Sequence, residues 1–264
     1  MNPVRQINHI IVIQSLPNGD VMTGKELYDD VIKRHIDLKE GENKITHKFF
    51  DVKNKATLVD ILKYIAANSR YMPGAILIHF EMHGSAKKDG LVLADLSLIS
   101  WKELVELFRP INIATCNKLF ITMATCFGRH LYEGVNPTEK SPYQAFISAS
   151  KEVKVSEVME KFNLLFEILI ESGDLIHAYL EHEKTGTNFY YKDSLSSFED
   201  SIALFISNLG SDPATLERII DQPDLKRELD NGNISNAQLA EMLTMAFKQN
   251  YEKHKAAFNF TDCV

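Results

Sequence analysis

The sequence has 264 residues, of which 45% are hydrophobic and 25% charged, proportions typical of a folded globular protein. Its 29 Lys and Arg residues against 36 Asp and Glu residues give a net charge of −7, which argues against general binding to nucleic-acid backbones. It contains no apolar run of the roughly 18 residues that a transmembrane helix needs. The run from Ile10 to Ile13 is too short for a signal peptide, so we expect a cytoplasmic protein without membrane contact.

The three cysteines, Cys116, Cys126 and Cys263, are too few and too scattered for a disulfide framework. No two of them have the spacing of a zinc-binding pair. We therefore expect free thiols in a reducing compartment, and neither a metal nor an organic cofactor.

Short apolar runs alternate along the chain with amphipathic patterns. In chain order they predict a strand at 7–14, a helix at 23–36, a strand at 44–52, a helix at 57–69, strands at 75–80 and 91–94, a helix at 100–108, strands at 118–124 and 145–149, and helices at 155–171 and from 174. Thr23 with Glu26, and Ser100 with Glu103, have the spacing of capping boxes. Pro110 is expected to end the helix that Ser100 begins.

This alternation is typical of parallel βαβ units covered by helices on both faces. The predicted fold is therefore α/β, a three-layer α/β/α sandwich with a mostly parallel sheet. After a last strand at 188–192, the patterns predict helices at 196–208, 213–229 and 235–258. We expect one domain over residues 1–192 and a helical extension over 193–264.

Two predicted strands run directly into residues that can perform chemistry. The strand AILIHF leads to His83 and Gly84, and LFITMA leads to Cys126. Ligands of parallel sheets gather beyond the carboxyl ends of the strands. A cysteine nucleophile needs a base nearby, and a histidine can take the thiol proton and later protonate a leaving amine. We expect Cys126 and His83 to form a catalytic dyad, with the backbone N–H groups of Gly84 and Cys126 stabilising an oxyanion.

The segments around these two residues resemble the caspase-like (clan CD) cysteine peptidases, most closely their CHAT branch, over about residues 7–191. ILIHFEMHG and LFITMATC are similar to the strands that carry the family's histidine and cysteine, and residues 89–95 and 99–107 follow as in CHAT domains. The resemblance implies a caspase-like fold and a single-chain cysteine endopeptidase. It also implies a specific protein substrate and a possible activating protein partner in a stress, defence or cell-death pathway.

The chain departs from this family at Ala124, where caspases have Gln and metacaspases an Asp that binds basic side chains. A preference for cleavage after Asp, Arg or Lys therefore does not carry over. The resemblance suggests residues 148–151 as a wall of the specificity pocket, which makes Ser148 and Ser150 candidate substrate-binding residues. Glu81 and Asp95 could line that pocket for a basic side chain or could be solvated loop carboxylates.

Two other functions compete with the peptidase. The same fold could serve as a catalytically inactive binding or scaffold module, with Cys126 and His83 as relics. A nucleotide-binding domain is disfavoured, because no strand-to-helix turn carries a GxGxxG or GxxxxGK[ST] motif. We expect Cys116 to be structural, Cys263 to be incidental and His79 to be a histidine of the sheet core.

Overall fold

A computed structural model describes residues 6–39, 45–211, 227, 231, 232 and 234–260. The chain divides into two compact units, one of Met1–Val135 with Ser141–Ser194, and one of Asn136–Lys140 with Leu195–Val264. Almost all of the helix predicted at 213–229 lies outside the described residues. So does Cys263. No helix within the described part of the chain has the length and apolar character needed to cross a membrane.

The first unit is an α/β domain built on a mixed, mostly parallel sheet. Its strands are β1 (Ile7–Ser15), β2 (Thr46–Asp51), β3 (Ala75–Gly84), β4 (Gly90–Val92), β5 (Leu98–Ser100), β6 (Leu119–Ala124), β7 (Ala145–Ala149) and β8 (Phe189–Asp193). The sheet order is β2-β1-β3-β6-β7-β8, and only β8 runs antiparallel to its neighbour on this path. β4 pairs antiparallel with the end of β3, and β5 pairs with β4.

Helices connect the parallel strands, as the alternation predicts. They are α1 (in three successive stretches, Thr23–Glu26, the π-helical Leu27–Lys33, and Arg34–Leu38), α2 (Lys55–Ser69), α3 (Trp101–Ala114), α4 (Val155–Ser172) and α5 (Leu175–Glu183). A 3₁₀ helix over Gly128–Gly134 follows β6.

Both faces of the sheet are buried under helices. On one face Val31 of α1 and Phe166 of α4 belong to the same buried cluster as Leu77 of β3. On the other face the ring of Phe108 in α3 lies 5.6 Å from that of Phe80. The first unit is therefore a sheet between two helical layers, and the carboxyl ends of β1, β3 and β6 meet at one edge.

The first helix begins at Thr23 as predicted, but the expected Thr23 cap and the expected helix end at Pro110 are wrong, because tertiary contacts override these local signals. The capping box of Ser100 with Glu103 is present. In α1, however, Met22 is the N-cap, and the Thr23 hydroxyl donates to Glu81 Oε2 at 2.8 Å instead of capping the helix. Pro110 lies inside α3, which continues to Ala114, because Asn112 in its last turn is anchored to the backbone of Ser141 and Leu119.

The second unit is helical in its described parts. It contains α6 (Ser194–Ser211), α7 (Asn236–Gln249) and α8 (Tyr251–Phe258). The ring of Phe198 lies 5.6 Å from that of Tyr251 and 5.1 Å from that of Phe258, so aromatic contacts join α6 to α8. The single helix predicted at 235–258 is interrupted at Asn250.

Candidate active site

A cleft with a volume of about 320 Å³ opens at the edge where the carboxyl ends of β1, β3 and β6 meet. It is lined by residues from the β1–α1 connection, the ends of β3 and β6, and the start of α4. These residues are Leu16, Gly19, Asp20, Val21, Thr23, Glu81, Met82, His83, Ala124, Thr125, Cys126, Val153, Val155 and Val158. The structure thus brings His83 and Cys126 to one cleft.

His83 is held by a carboxylate that the sequence analysis did not identify. Its Nε2 lies 2.7 Å from Oδ2 of Asp20, and the two side chains are 55% and 41% exposed. A carboxylate oxygen accepts hydrogen bonds and does not donate them when ionised, so Nε2 carries the proton of this bond. In a neutral imidazole the acceptor nitrogen is then Nδ1.

Cys126 stands on a sharp turn directly after β6. Phe127 adopts the left-handed region with φ 60°, which costs energy for a residue with a bulky side chain. The Phe127 N–H donates to Lys151 O at 3.4 Å, and the Val153 N–H donates to Cys126 Sγ at 3.5 Å. The connection between β7 and α4 therefore holds both the turn and the sulfur, whose residue is half-buried.

Gly84 allows the backbone after His83 to approach Cys126. A Cβ built on Gly84 would lie 1.8 Å from the Cys126 carbonyl oxygen, so a larger residue does not fit here. Ser85 N donates to Gly90 O, and Gly84 pairs with Leu91. Hydrogen-bonded and non-hydrogen-bonded pairs alternate in an antiparallel ladder, which directs the Gly84 N–H away from β4.

Glu81 is a buried strand residue, and the alternative of a solvated loop carboxylate is wrong for it. Only 3% of its side chain is exposed. Its Oε2 accepts from Thr23, and its Oε1 lies 3.2 Å from Nε2 of His79. His79 is fully buried, as the sequence predicted, and its Nδ1 lies 2.8 Å from Thr122 Oγ1. Glu81 also lines the cleft, so this buried network ends at the cleft floor.

The other proposed substrate-binding residues lie elsewhere. Asp95 is exposed in the connection between β4 and β5, where the hydroxyl of Ser97, and secondly its amide, lower the pKa of the Asp95 carboxyl from its usual value. Ser148 is buried in β7, and its hydroxyl has no hydrogen-bond partner among the described residues. Ser150 is exposed after β7. Neither serine lines the cleft, whereas Val153, three residues beyond Ser150, and the first turn of α4 do.

Asp20, which the sequence-based prediction missed, has only a weak signal in the sequence. Asp20 follows β1 by five residues, and β1 neighbours β3 in the sheet, so any acidic residue in that connection is a candidate partner for His83. The sequence alone does not order the strands, and so it does not single out Asp20 from other loop carboxylates.

The other cysteine among the described residues lies away from the cleft. Cys116 is a free, exposed thiol with φ 51° in the turn between α3 and β6. Within the described ranges, no group of three or more His, Cys, Asp or Glu side chains is arranged to hold a metal ion.

In comparisons with known proteins, no family model matches the chain, and no curated protein matches it. What the site can do is therefore argued from its own residues. The cleft contains a thiol and an oriented imidazole, two of the groups that acyl transfer requires, and Gly84, whose N–H points away from β4, adjoins it without being one of its lining residues.

Proposed function

We propose that this protein is a cysteine endopeptidase in which Cys126 attacks the scissile carbonyl and His83 acts as general base and acid. The observation that carries the proposal is the shared cleft of Cys126, His83 and Asp20, with His83 Nε2 bonded to Asp20. Each residue type alone is common at strand ends. Their convergence at the carboxyl edge of a parallel sheet is the arrangement that covalent catalysis uses.

Asp20 acts in this proposal as a positioning residue. By accepting the Nε2 proton, its carboxylate favours the tautomer whose Nδ1 lone pair can take the thiol proton of Cys126. It also stabilises the imidazolium that forms when that proton has moved. Asp20 does not itself gain the proton.

The reaction proceeds in two halves with His83 as the proton carrier. Cys126 transfers its proton to His83 Nδ1, and its sulfur forms a bond with the carbonyl carbon. The oxyanion accepts hydrogen bonds from the N–H groups of Cys126 and Gly84. As the C–N bond breaks, His83 protonates the leaving amine. Water then attacks the thioester, giving one proton to His83, and the acid product leaves as the thiol of Cys126 regains its proton.

A caspase-like, CHAT-type domain is part of the same proposal. The parallel neighbours β3 and β6 support it, since His83 lies at the carboxyl end of β3 and Cys126 lies two residues after β6. So does the order in which the antiparallel β4 and β5 and then α3 lie between these two residues. We propose with it a specific protein substrate in the cytoplasm, in a stress, defence or cell-death pathway, and activation by a partner protein.

The test is covalent labelling by peptidyl acyloxymethyl ketones, in which a thiolate displaces the carboxylate leaving group and forms a thioether. Mass spectrometry of the digested protein assigns the label to a cysteine. We expect labelling of Cys126 that Cys126→Ala abolishes and that His83→Ala reduces by about 10²-fold or more.

Cys116 supplies the internal control because it is a free thiol that is more exposed than Cys126. Simple accessibility therefore predicts faster labelling of Cys116, whereas the proposed site predicts faster labelling of Cys126. Equal labelling of the cysteines, independent of His83, would contradict the peptidase and favour the inactive binding module.

A further inference from the structure

The cleft contains a carboxylate that the proposed reaction does not use. Glu81 lines the cleft although its side chain is almost completely buried, which places the carboxylate at the floor. Asp20, the other acidic lining residue, is half-exposed and bonded to His83. The two carboxylates therefore differ in position: one orients the catalytic imidazole, and the other lies deeper.

The sheet fixes how far Glu81 lies from the reacting groups. Glu81 and His83 are two residues apart on β3, so their side chains leave the same face. Glu81 pairs in register with Ala124 of β6, which precedes Cys126 by two residues. Two residues of a strand span about 7 Å. A substrate side chain that starts at the reacting carbonyl must therefore be long to reach Glu81.

The part of the cleft between Glu81 and the reacting residues His83 and Cys126 has aliphatic walls. The wall side chains are Leu16, Val21, Val153, Val155 and Val158. Ala124, the register neighbour of Glu81 on β6, contributes only a methyl group to the lining. None of the described residues that line the cleft is lysine or arginine. An acidic substrate side chain would therefore meet carboxylates without a compensating cation.

The hydrogen bonds around Glu81 leave its carboxylate able to accept more. A carboxylate has about four lone-pair positions, and Thr23 and His79 each occupy one. Nε2–H of His79 donates to Glu81, and Nδ1 of His79 bonds to the Thr122 hydroxyl. No lysine or arginine lies opposite the Glu81 carboxylate among the described residues that line the cleft.

We infer that the cleft binds a lysine or arginine side chain at the residue whose carbonyl Cys126 attacks, with Glu81 as its acceptor. This inference rests on the proposed peptidase function and names its substrate class. The valine walls contact the aliphatic stem of such a side chain, while its charged head reaches the carboxylate. Metacaspases have an Asp at the position of Ala124 on β6. In this chain Glu81 on β3 would bind the basic side chain instead.

The experiment compares acyloxymethyl ketones that differ only in the side chain next to the ketone: Arg, Lys, Leu or Asp. We expect the Arg and Lys probes to inactivate Cys126 at least about tenfold faster than the Leu probe, and the Asp probe to be slowest. In Glu81→Gln, the ratio of the Arg to the Leu rate falls by about 10- to 100-fold. The ratio is measured on one protein sample, so partial loss of folded protein cancels.

Glu26→Gln is the matched control. Glu26 is an exposed residue of α1 that does not line the cleft, and its substitution removes the same charge. We expect its Arg to Leu ratio to equal that of the wild type, because long-range attraction between exposed groups is screened by salt.

Failure of the inference is distinguishable from failure of the peptidase proposal. Labelling of Cys126 that is fastest with the Leu or Asp probe, or an Arg preference that survives in Glu81→Gln, overturns the inference and leaves the peptidase standing. No selective labelling of Cys126 by any of the four probes overturns both.

Discussion

Two histidine–carboxylate pairs originate on β3, four residues apart and on the same face of the sheet. His79 pairs with Glu81 at 3.2 Å, and both side chains are buried. His83 pairs with Asp20 at 2.7 Å, and both side chains are largely exposed. The residue types are the same, but the buried pair also involves Thr23 and Thr122, whereas no described residue bonds Nδ1 of His83.

The comparison shows that burial determines what a histidine–carboxylate pair can do. At His79 both ring nitrogens have protein partners, so the ring is fixed and has no site for a substrate proton. At His83 one nitrogen is oriented and the other remains for proton transfer. In the proposed reaction the buried pair forms part of the cleft floor, and the exposed pair transfers the proton.

The largest expected effect comes from replacing each histidine by leucine. His83→Leu should slow labelling of Cys126 by about 10²- to 10⁴-fold and change the free energy of unfolding by less than about 0.5 kcal/mol. His79→Leu should lower the free energy of unfolding by about 2–4 kcal/mol, because Glu81 and Thr122 lose buried partners. Chemical denaturation and labelling rates measure both. Similar losses of stability in the two variants would contradict the division of roles.

Asp20→Asn tests the orienting half of the exposed pair. The asparagine amide can present an N–H to Nε2 and so favour the wrong tautomer. We expect the maximal inactivation rate to fall by about 10- to 100-fold while the concentration for half-maximal rate is unchanged. Asp29→Asn, an exposed acid that pairs with Lys25 on α1, is the control. A change confined to the half-maximal concentration would assign Asp20 to substrate binding instead.

Gly24→Ala probes the buried pair through the packing of α1 on Glu81. A Cβ at Gly24 would lie 2.7 Å from Glu81 Cγ and 3.1 Å from Gln14 Oε1, so either α1 or the Glu81 side chain must shift. We expect a loss of about 2 kcal/mol in the free energy of unfolding and a smaller Arg to Leu ratio. In an unobstructed helix this substitution stabilises by about 1 kcal/mol. A stability gain in denaturation experiments would therefore show that the close approach does not exist.

His182 provides a buried histidine without a carboxylate partner for comparison. Burial, followed by the charge of Lys161, lowers its pKa from 6.5 to about 4, and neither ring nitrogen has a hydrogen-bond partner among the described residues. The unfolded state binds the proton first, so stability is lost as pH falls from about 6.5 to about 4, by at most about 1.4 kcal/mol per pH unit.

His182→Met should reduce the loss of unfolding free energy as the pH falls. Denaturation at about pH 7, 6 and 5 measures this loss, because the lowered pKa makes stability fall as the pH drops below about 6.5. His177→Asn, at an exposed position of the same helix, should leave the slope unchanged. An unchanged slope in His182→Met would show that another group controls acid stability.

The positions of Cys126 and His83 were predictable because they depend on local signals. Each lies at the carboxyl end of an apolar strand, His83 inside β3 and Cys126 just after β6, where polar groups can face a cleft. The partners that give these residues their environments were not predictable. Asp20 and Val153 come from connections after β1 and β7, and only the strand order places those connections beside β3 and β6.

Local rules also failed where a tertiary partner competed. Thr23 has the spacing of a capping residue, but it is the first residue inside the helix, and its hydroxyl donates to the buried Glu81 carboxylate, which needs hydrogen-bond donors. Pro110 has no N–H to donate, yet the helix continues, because the bonds of Asn112 hold its last turn. In both cases the competing contact comes from residues distant in sequence.

A crystal structure of the protein inactivated by an arginyl acyloxymethyl ketone would test the central claim most directly. We predict a thioether between Cys126 Sγ and the methylene carbon of the probe, with the retained ketone oxygen about 3 Å from the backbone nitrogens of Gly84 and Cys126. His83 would remain bonded to Asp20, and the arginine side chain would reach Glu81. An adduct on Cys116, or an adduct on Cys126 whose oxygen contacts neither amide, would contradict the proposed site.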